Sequence, residues 1–156
     1  MDNFVYLSRE RLIEVENELR ELKTNGRKEM AEMIAEARSH GDLSENAEYD
    51  AAKDKQGLLE LKINKLEELL SKARVIDTSQ FTNDKVHILA KVKVKNLNNK
   101  KEYTYILVSP EEADSEKGKI SFTSPVGQAL MNQTVGTIAE VRVPAGLIKY
   151  EILSID

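Results

Sequence analysis

The sequence predicts an α+β protein: a long antiparallel helical hairpin followed by a small antiparallel sheet with one short helix. Two observations support this class. Apolar residues recur every three or four positions as far as residue 73, and then alternate every second position in the second half of the chain. A glycine at position 41 divides the helical part in two. We therefore expect two domains, residues 1–76 and 77–156.

The first helix is predicted to begin after Ser8, with Glu10 in the first turn, where a carboxylate interacts favourably with the helix dipole. One apolar stripe then runs along it. Gly26 is its weakest member, because glycine costs about 1 kcal/mol relative to alanine inside a helix. The predicted stripe consists of Leu12, Val15, Leu19, Leu22, Gly26, Met30, Met33 and Ala37.

The second helix shows the spacing of a coiled coil, because its apolar positions alternate three and four residues apart. Two helices of about 30 residues joined by so short a turn must fold back on each other, giving a hairpin about 45 Å long. We read the part between residues 59 and 70 as core and not as a cofactor site. The second stripe consists of Tyr49, Ala52, Gln56, Leu59, Ile63, Leu66, Leu70 and Ala73.

The second half of the chain predicts strands over residues 86–95, 102–108, 119–123, 139–143 and 147–155. Residues 98–99 form a predicted turn, and residues 144–146 join the last two strands. Ser124 followed by Pro125 has the pattern of an N-cap and first helical residue, and predicts a short helix through Met131.

The composition excludes several kinds of protein. The 156 residues are 40% hydrophobic and 32% charged, which is typical of a folded chain with solvated helical faces. The absence of cysteine excludes disulfides and thiolate metal sites. Apolar runs reach only roughly four residues, so we expect no membrane span or secretory signal, and a cytoplasmic protein.

The charge distribution argues against an independent DNA-binding protein. The net charge is −4, and residues 1–77 carry 13 Lys and Arg against 18 Asp and Glu. An independent DNA binder shows a basic surface or a high isoelectric point. If this chain acts on nucleic acid, another molecule must supply most of the affinity.

Four acids and no basic residue lie between positions 42 and 50, where the predicted hairpin turns. Asp42 and Glu45 have the spacing of a capping box, in which both side chains bind the start of a helix. The same spacing puts two carboxylates about 5–6 Å apart, which suits half of a Mg²⁺ site. Mg²⁺ takes six oxygens, so a second protein and a phosphate would complete the site. The sequence leaves both interpretations open.

Leu43 favours the half-site, because an apolar side chain at the end of a rod has nothing of its own chain to pack against.

Other candidate sites in the sequence are weaker. His40 and His87 are too far apart in sequence to predict a metal pair. Lys91, Lys93 and Lys95 share one face of a strand, as a phosphate track would, but such a row is more often a solvated face or edge protection.

The residues GDLSENAEY at 41–49, followed by Ala51, Ala52 and Lys53, resemble the tip signature of the bacterial transcript cleavage factors, the GreA/GreB family. Residues 34–38, 124–130 and 150–153 are also similar to that family. The resemblance covers nearly the whole chain in the right order. The departures lie in the second half: Pro144-Ala145-Gly146 in the last hairpin, and Asn132 and Thr137 near the preceding helix.

The resemblance implies an accessory factor and not an enzyme. These factors dock on RNA polymerase through an FKBP-like C-terminal domain and insert the coiled coil into its secondary channel. There the tip acids help to hold the second Mg²⁺ beside the backtracked 3′ end of the nascent RNA, which the polymerase then hydrolyses. By residue match, the metal pair is Asp42 and Glu45, the tip contacts are Leu43, Ser44, Asn46 and Tyr49, the RNA-proximal residue is Lys53, and the polymerase-docking residues are Thr123, Ser124 and Pro125.

Three questions stay open at this stage. A channel-binding inhibitor of the polymerase would have the same shape. A prolyl isomerase is suggested only by the expected fold of the second domain, and five scattered tyrosines with no tryptophan offer little for its substrate pocket. We expect a monomer, with self-association as the alternative.

Overall fold

The computed structural model describes residues 4–41 and 46–156. Their contacts divide the chain into two compact units. One unit is Glu10–Lys72, and the other joins the N-terminal residues up to Arg9 with Ala73–Asp156. The sequence analysis had placed the boundary after residue 76. Among the described residues, no helix is long and apolar enough to cross a membrane.

The first unit is a helical hairpin. Its first arm runs through α1 (Arg9–Glu21), a π-helical segment (Leu22–Gly26) and α2 (Arg27–Ser39), and its second arm is α3 (Ala47–Lys72). The arms are antiparallel, since Lys23 meets Glu67 near one end and Arg38 meets Tyr49 near the other. The described part of this unit therefore has the predicted hairpin architecture.

One residue of the predicted stripe in α2 does not face the core. Met33, which the spacing placed there, is 36% exposed, and Ile34 is buried at 9%. Met30 is half-buried and Val15 and Ala37 are buried, as predicted. The prediction for Met33 was wrong because core positions in α2 follow a four-then-three spacing from Met30, where we expected three then four, and both spacings fit a helix of 3.6 residues per turn.

Ion pairs tie the two arms together along their length. Lys23 Nζ lies 2.8 Å from Glu67 Oε1, and Arg27 Nη2 lies 3.0 Å from Glu60 Oε1. Lys62 Nζ lies 3.1 Å from Glu18 Oε1. Each pair is half exposed and contributes little alone, but three pairs between the same two arms favour one register.

The second unit contains a five-stranded sheet and one helix. The elements are β3 (Lys91–Asn96), β4 (Glu102–Val108), β5 (Lys119–Ser121), α4 (Pro125–Leu130), β6 (Ile138–Val143) and β7 (Gly146–Ile155). The strand order in the sheet is β5-β4-β3-β7-β6, and neighbouring strands are antiparallel except β5, which runs parallel to β4. Helix α4 packs near β6, and the apolar face of the sheet forms the core with residues such as Val92, Leu107 and Ile152.

The strand predicted over residues 86–95 begins only at Lys91. Leu89 has a φ of 66°, which a β-strand does not allow, and its N–H donates to the Leu107 carbonyl at 2.7 Å. Residues 86–90 therefore form a turn, although their apolar alternation is that of a strand. Val86 and Ala90 are nevertheless fully buried, so the apolar pattern correctly marked core positions.

The lysine row on β3 does not protect an edge, because β3 is the central strand of the sheet. Its opposite face buries Val92 and Val94. Lys91 and Lys93 are exposed, and Lys93 lies 3.8 Å from Glu102 on β4. The row is the solvated face of a central strand.

A two-stranded parallel ribbon was not predicted. It pairs β1 (Val5–Leu7) with β2 (Ala73–Val75) inside the second unit. The Tyr6 N–H donates to Oγ of the fully buried Ser109 at 2.9 Å, and the Arg74 guanidinium lies 4.1 Å from the Phe4 ring centroid. The Tyr6 hydrogen bond ties the ribbon to the rest of the same unit, and the Arg74–Phe4 contact lies within the ribbon.

Candidate functional site

The predicted metal pair lies, in sequence, between the two arms of the hairpin. Asp42, Leu43, Ser44 and Glu45 lie outside the described residues, so their proposed roles stay predictions. The structure describes the residues on both sides of them, His40 and Gly41 before and Asn46 onward after.

Asn46 joins the ends of the two arms. Its Oδ1 accepts a hydrogen bond from the Tyr49 N–H at 3.1 Å, which is the N-cap interaction of α3. Its Nδ2 donates to the Ala37 carbonyl at 2.5 Å, in the last turn of α2. One amide therefore satisfies an otherwise unpaired N–H in the first turn of α3 and gives a second hydrogen bond to a carbonyl in the last turn of α2.

This arrangement bears on the capping-box interpretation. Helix α3 begins at Ala47 with Glu48 and Asp50 in its first turn, and Asn46 supplies its cap. The capping box itself involved Asp42 and Glu45, which are outside the described residues. The start of α3 does not depend on such a box, because the N3 amide of Tyr49 already has its acceptor in Asn46.

Two further contacts cross between the arms beside the turn. His40 Nε2 lies 3.7 Å from Glu48 Oε2, and the Arg38 guanidinium lies 5.7 Å from the Tyr49 ring centroid. Sequence reasoning did not single out Arg38 or Glu48. The register of the two stripes was the signal that could have found them, because it brings residues just before the turn opposite residues just after it.

Gly41 has a φ of 125°, a conformation that residues with a β-carbon rarely adopt. The first arm ends immediately before it, with His40 donating its N–H to the Ala37 carbonyl at 3.2 Å. The prediction that Gly41 terminates the first helical arm is confirmed.

Lys53 and Tyr49 lie on α3, one turn apart. Lys53 is exposed, and its ammonium donates to Gln56 Oε1 at 3.0 Å. Tyr49 is half buried and contacts Arg38. Lys53 is therefore accessible to an anionic partner, whereas part of the Tyr49 ring is used within the hairpin.

The predicted docking residues form the connection from β5 to α4. Ser124 Oγ accepts from the Gly127 N–H at 3.1 Å and donates to the Ser121 carbonyl at 2.6 Å, so it is the predicted N-cap. Thr123 Oγ1 lies 2.6 Å from Ser121 Oγ. Thr123 and Pro125 are exposed, and the hydrogen bonds of Ser124 fix the backbone between them.

The tyrosines are not all scattered, as the sequence analysis had assumed. Tyr105 lies 6.0 Å from Tyr103 and 6.3 Å from Tyr150 between ring centroids. Tyr103 and Tyr105 pack against the core, of which Tyr150 is a member, and burial together with Tyr150 raises the pKa of Tyr105 to about 12. The three rings pack in and against the core of the second unit, so their role is structural.

No group of three or more potential metal ligands comes together among residues 4–41 and 46–156. The Mg²⁺ ion expected from the sequence would therefore need Asp42 and Glu45 as ligands, together with ligands from another molecule. Glu48 and Asp50 lie near enough in sequence to add negative potential but belong to the first turn of α3.

Comparison with known proteins identifies the family. A family model described as "Transcription elongation factor, N-terminal" matches residues 5–75, and one described as "Transcription elongation factor, GreA/GreB, C-term" matches residues 81–156. The chain is 52% identical to transcription elongation factor GreA of Flavobacterium psychrophilum over 99% of this chain and 98% of that protein. It is 48% identical to GreA of Chloroherpeton thalassium, with the same coverage.

Among solved structures, the transcription factor Gfh1 aligns with a TM-score of 0.49 and 23% identity, over 99% of each chain. The two family models together cover nearly all of the sequence. Full-length identity near one half to two GreA proteins agrees with them. The chain belongs to the GreA/GreB family of transcription elongation factors.

Proposed function

We propose that this chain binds RNA polymerase, inserts the turn of its hairpin into the secondary channel and stimulates the polymerase's own cleavage of backtracked nascent RNA. Asp42 and Glu45 share a Mg²⁺ ion with the polymerase active site. The chain is an accessory factor in the cytoplasm and has no stand-alone catalytic activity. Arrested complexes resume elongation after the cleavage.

The observation that carries the proposal is the link between the ends of the two arms. Asn46 joins the last turn of α2 to the first turn of α3 by hydrogen bonds to Ala37 and Tyr49, and in the sequence the two acids lie between these helix ends. Ion pairs hold the arms in register. A narrow helical hairpin with acids between its arms suits delivery of ligands into a site that lies inside another protein.

The chemistry follows from what Mg²⁺ requires. Two carboxylates are too few ligands for a tight site, so the ion is held only where polymerase carboxylates and an RNA phosphate supply the rest. A second metal ion there activates water and neutralises charge that develops on the phosphate. Dependence on the polymerase is therefore a consequence of the incomplete site.

The acidic charge of the chain agrees with this partner. A net charge of −4 gives no electrostatic affinity for nucleic acid. Binding must come from protein–protein contact, for which the exposed Thr123 and Pro125 are available. Nascent RNA then meets the chain only at the turn, near Lys53.

The test uses purified RNA polymerase stalled in a backtracked state. Wild-type protein is expected to accelerate Mg²⁺-dependent release of short RNA fragments from the 3′ end. Asp42→Ala and Glu45→Ala are expected to abolish this release while competing normally with wild type for the polymerase. Inhibition of the polymerase by wild-type protein would support the channel-binding inhibitor, and equal loss of binding and cleavage would show that the acids are needed for folding.

A further inference from the structure

We infer that the outer face of α3 is an interface on which a second copy of this chain packs antiparallel, giving a weak dimer. The dimer is a property of the free protein and does not depend on the proposed function. The sequence left self-association open as the alternative to a monomer. Four residues assign it to one face of one helix: Asp54, Leu58, Leu61 and Lys65.

These four residues form a second stripe on α3, opposite the stripe that packs against the first arm. Their spacing of four, three and four residues keeps them on one side of the helix. Leu58 is 68% exposed, the most of any large apolar side chain among the described residues, and Leu61 is 50% exposed. The buried Ala52 and Ile63 lie on the opposite side. Two exposed leucines one turn apart favour a partner that removes them from water.

The charges at the two ends of the stripe are opposite. Asp54 lies four residues before the first leucine of the stripe, and Lys65 lies four residues after the second. Both are exposed, and neither makes an ion pair with a described residue. They stand about 16 Å apart along the helix, too far to neutralise each other. The neighbouring Lys62, by contrast, already pairs with Glu18 on the first arm.

This order of residues is self-complementary. A two-fold axis between the leucines reverses the helix direction, so it places Leu58 of each copy against Leu61 of the other. The same axis places Asp54 of each copy opposite Lys65 of the other, and every contact occurs twice. A parallel copy would instead oppose like charges, which is unfavourable. The charges therefore favour a second copy of this chain in the antiparallel direction.

Gly57 leaves room for the second helix at the edge of the stripe. A β-carbon at position 57 would have no atom within 4 Å, so no contact within the hairpin requires glycine there. Glycine is unfavourable inside a helix, but its lack of a side chain lets another backbone approach closely. The stripe spans only about three turns of α3, so the dimer is weak and reversible.

The test is sedimentation velocity of the full-length protein from about 10 μM to about 1 mM, a range that reveals a weak dimer. Wild type is expected to shift from monomer to dimer across it. Asp54→Lys and Lys65→Asp each oppose like charges at both ends of the stripe, and each should raise the dissociation constant about 10-fold or more. The double variant restores opposite charges and should return to within about threefold of wild type.

The apolar contact is tested separately. Leu61→Ala removes a leucine from both halves of the interface and should raise the dissociation constant about 10-fold. Ile13→Ala is the matched control, because Ile13 is 49% exposed and lies on α1, outside the stripe. The control should dimerise as wild type does. Circular dichroism checks that every variant keeps the helix content of wild type.

Three results would overturn the inference. Wild-type protein that stays monomeric at every concentration would exclude the dimer. Dimerisation that the single charge variants leave unchanged, or that the double variant does not restore, would place the interface elsewhere. A monomeric protein whose charge variants need a higher concentration for half-maximal RNA cleavage would make this face a contact with the polymerase.

Discussion

Gly127 of α4 packs directly on the backbone of Ser121, the last residue of β5. A β-carbon at position 127 would overlap the Ser121 carbonyl oxygen and lie 2.8 Å from Cα of Phe122. The same carbonyl accepts hydrogen bonds from the N–H and the hydroxyl of Ser124. The close approach therefore fixes the turn that contains the predicted docking residues.

Gly127→Ala is expected to destabilise the sheet unit by about 2 kcal/mol, because the added methyl group must displace backbone. Denaturant unfolding followed by circular dichroism measures this. Gly57→Ala is the matched control, since no atom lies within 4 Å of a β-carbon there and alanine is the better helix former. The control should be neutral or more stable by up to about 1 kcal/mol. Equal stabilities of the two variants would contradict the packing described.

Ile34→Ala should cost more stability than Met33→Ala. The core positions of α2 are Met30, Ile34 and Ala37, so Ile34 is buried and Met33 is exposed. We expect a loss of about 2 kcal/mol for Ile34→Ala, at the low end for a buried aliphatic residue because the hairpin is thin, and a much smaller loss for Met33→Ala. Thermal or urea unfolding of both variants decides which of the two side chains is in the core. A larger loss for Met33→Ala would indicate that Met33, and not Ile34, faces the second arm.

The hairpin should lose stability in acid partly through Glu67. The hydrogen bond and charge of Lys23 hold the pKa of Glu67 below its ordinary value of 4.5. Because the folded-state pKa is depressed, this contribution is present above pH 4.5 and is lost as the pH falls through the lower folded value. Unfolding of wild type and Glu67→Gln between pH 6 and pH 3 tests this. The variant should show a shallower decline, and parallel curves would count against the ion pair.

Tyr105 should make the sheet unit less stable in strong base. Burial and the neighbouring Tyr150 raise its pKa from 10 to about 12. Between these values the unfolded chain has lost the phenol proton and the folded chain retains it, so stability falls as the pH rises. Tyr105→Phe should flatten this part of the pH–stability curve. A spectroscopic titration of wild type that finds every tyrosine ionising near pH 10 would refute the assignment.

The sequence was sufficient to predict the hairpin, because the two stripes have unambiguous helical spacing and Gly41 separates them. It could not reveal the π-helical segment, nor choose between Met33 and Ile34. Both side chains are apolar and both lie three or four residues from Met30 and Ala37, so packing against the other arm decides which one is buried.

Long-range pairing explains the other differences. The ribbon of β1 and β2 joins two three-residue segments far apart in sequence, too short for an alternation signal. The strand predicted from residue 86 was shortened by the positive φ of Leu89, which no local pattern marks. At the site, the sequence singled out Asn46, but the bond from Asn46 to Ala37 depends on how the arms pack, and the acids stay predictions.

The most direct test of the central claim removes charge from the acids without changing their shape. Asp42→Asn and Glu45→Gln are compared with wild type for release of 3′ RNA fragments from backtracked RNA polymerase, with binding measured by competition. The account predicts that both variants bind as wild type does and lose nearly all stimulation of cleavage, because an amide is a far weaker Mg²⁺ ligand than a carboxylate. Normal stimulation of cleavage by both variants would contradict it.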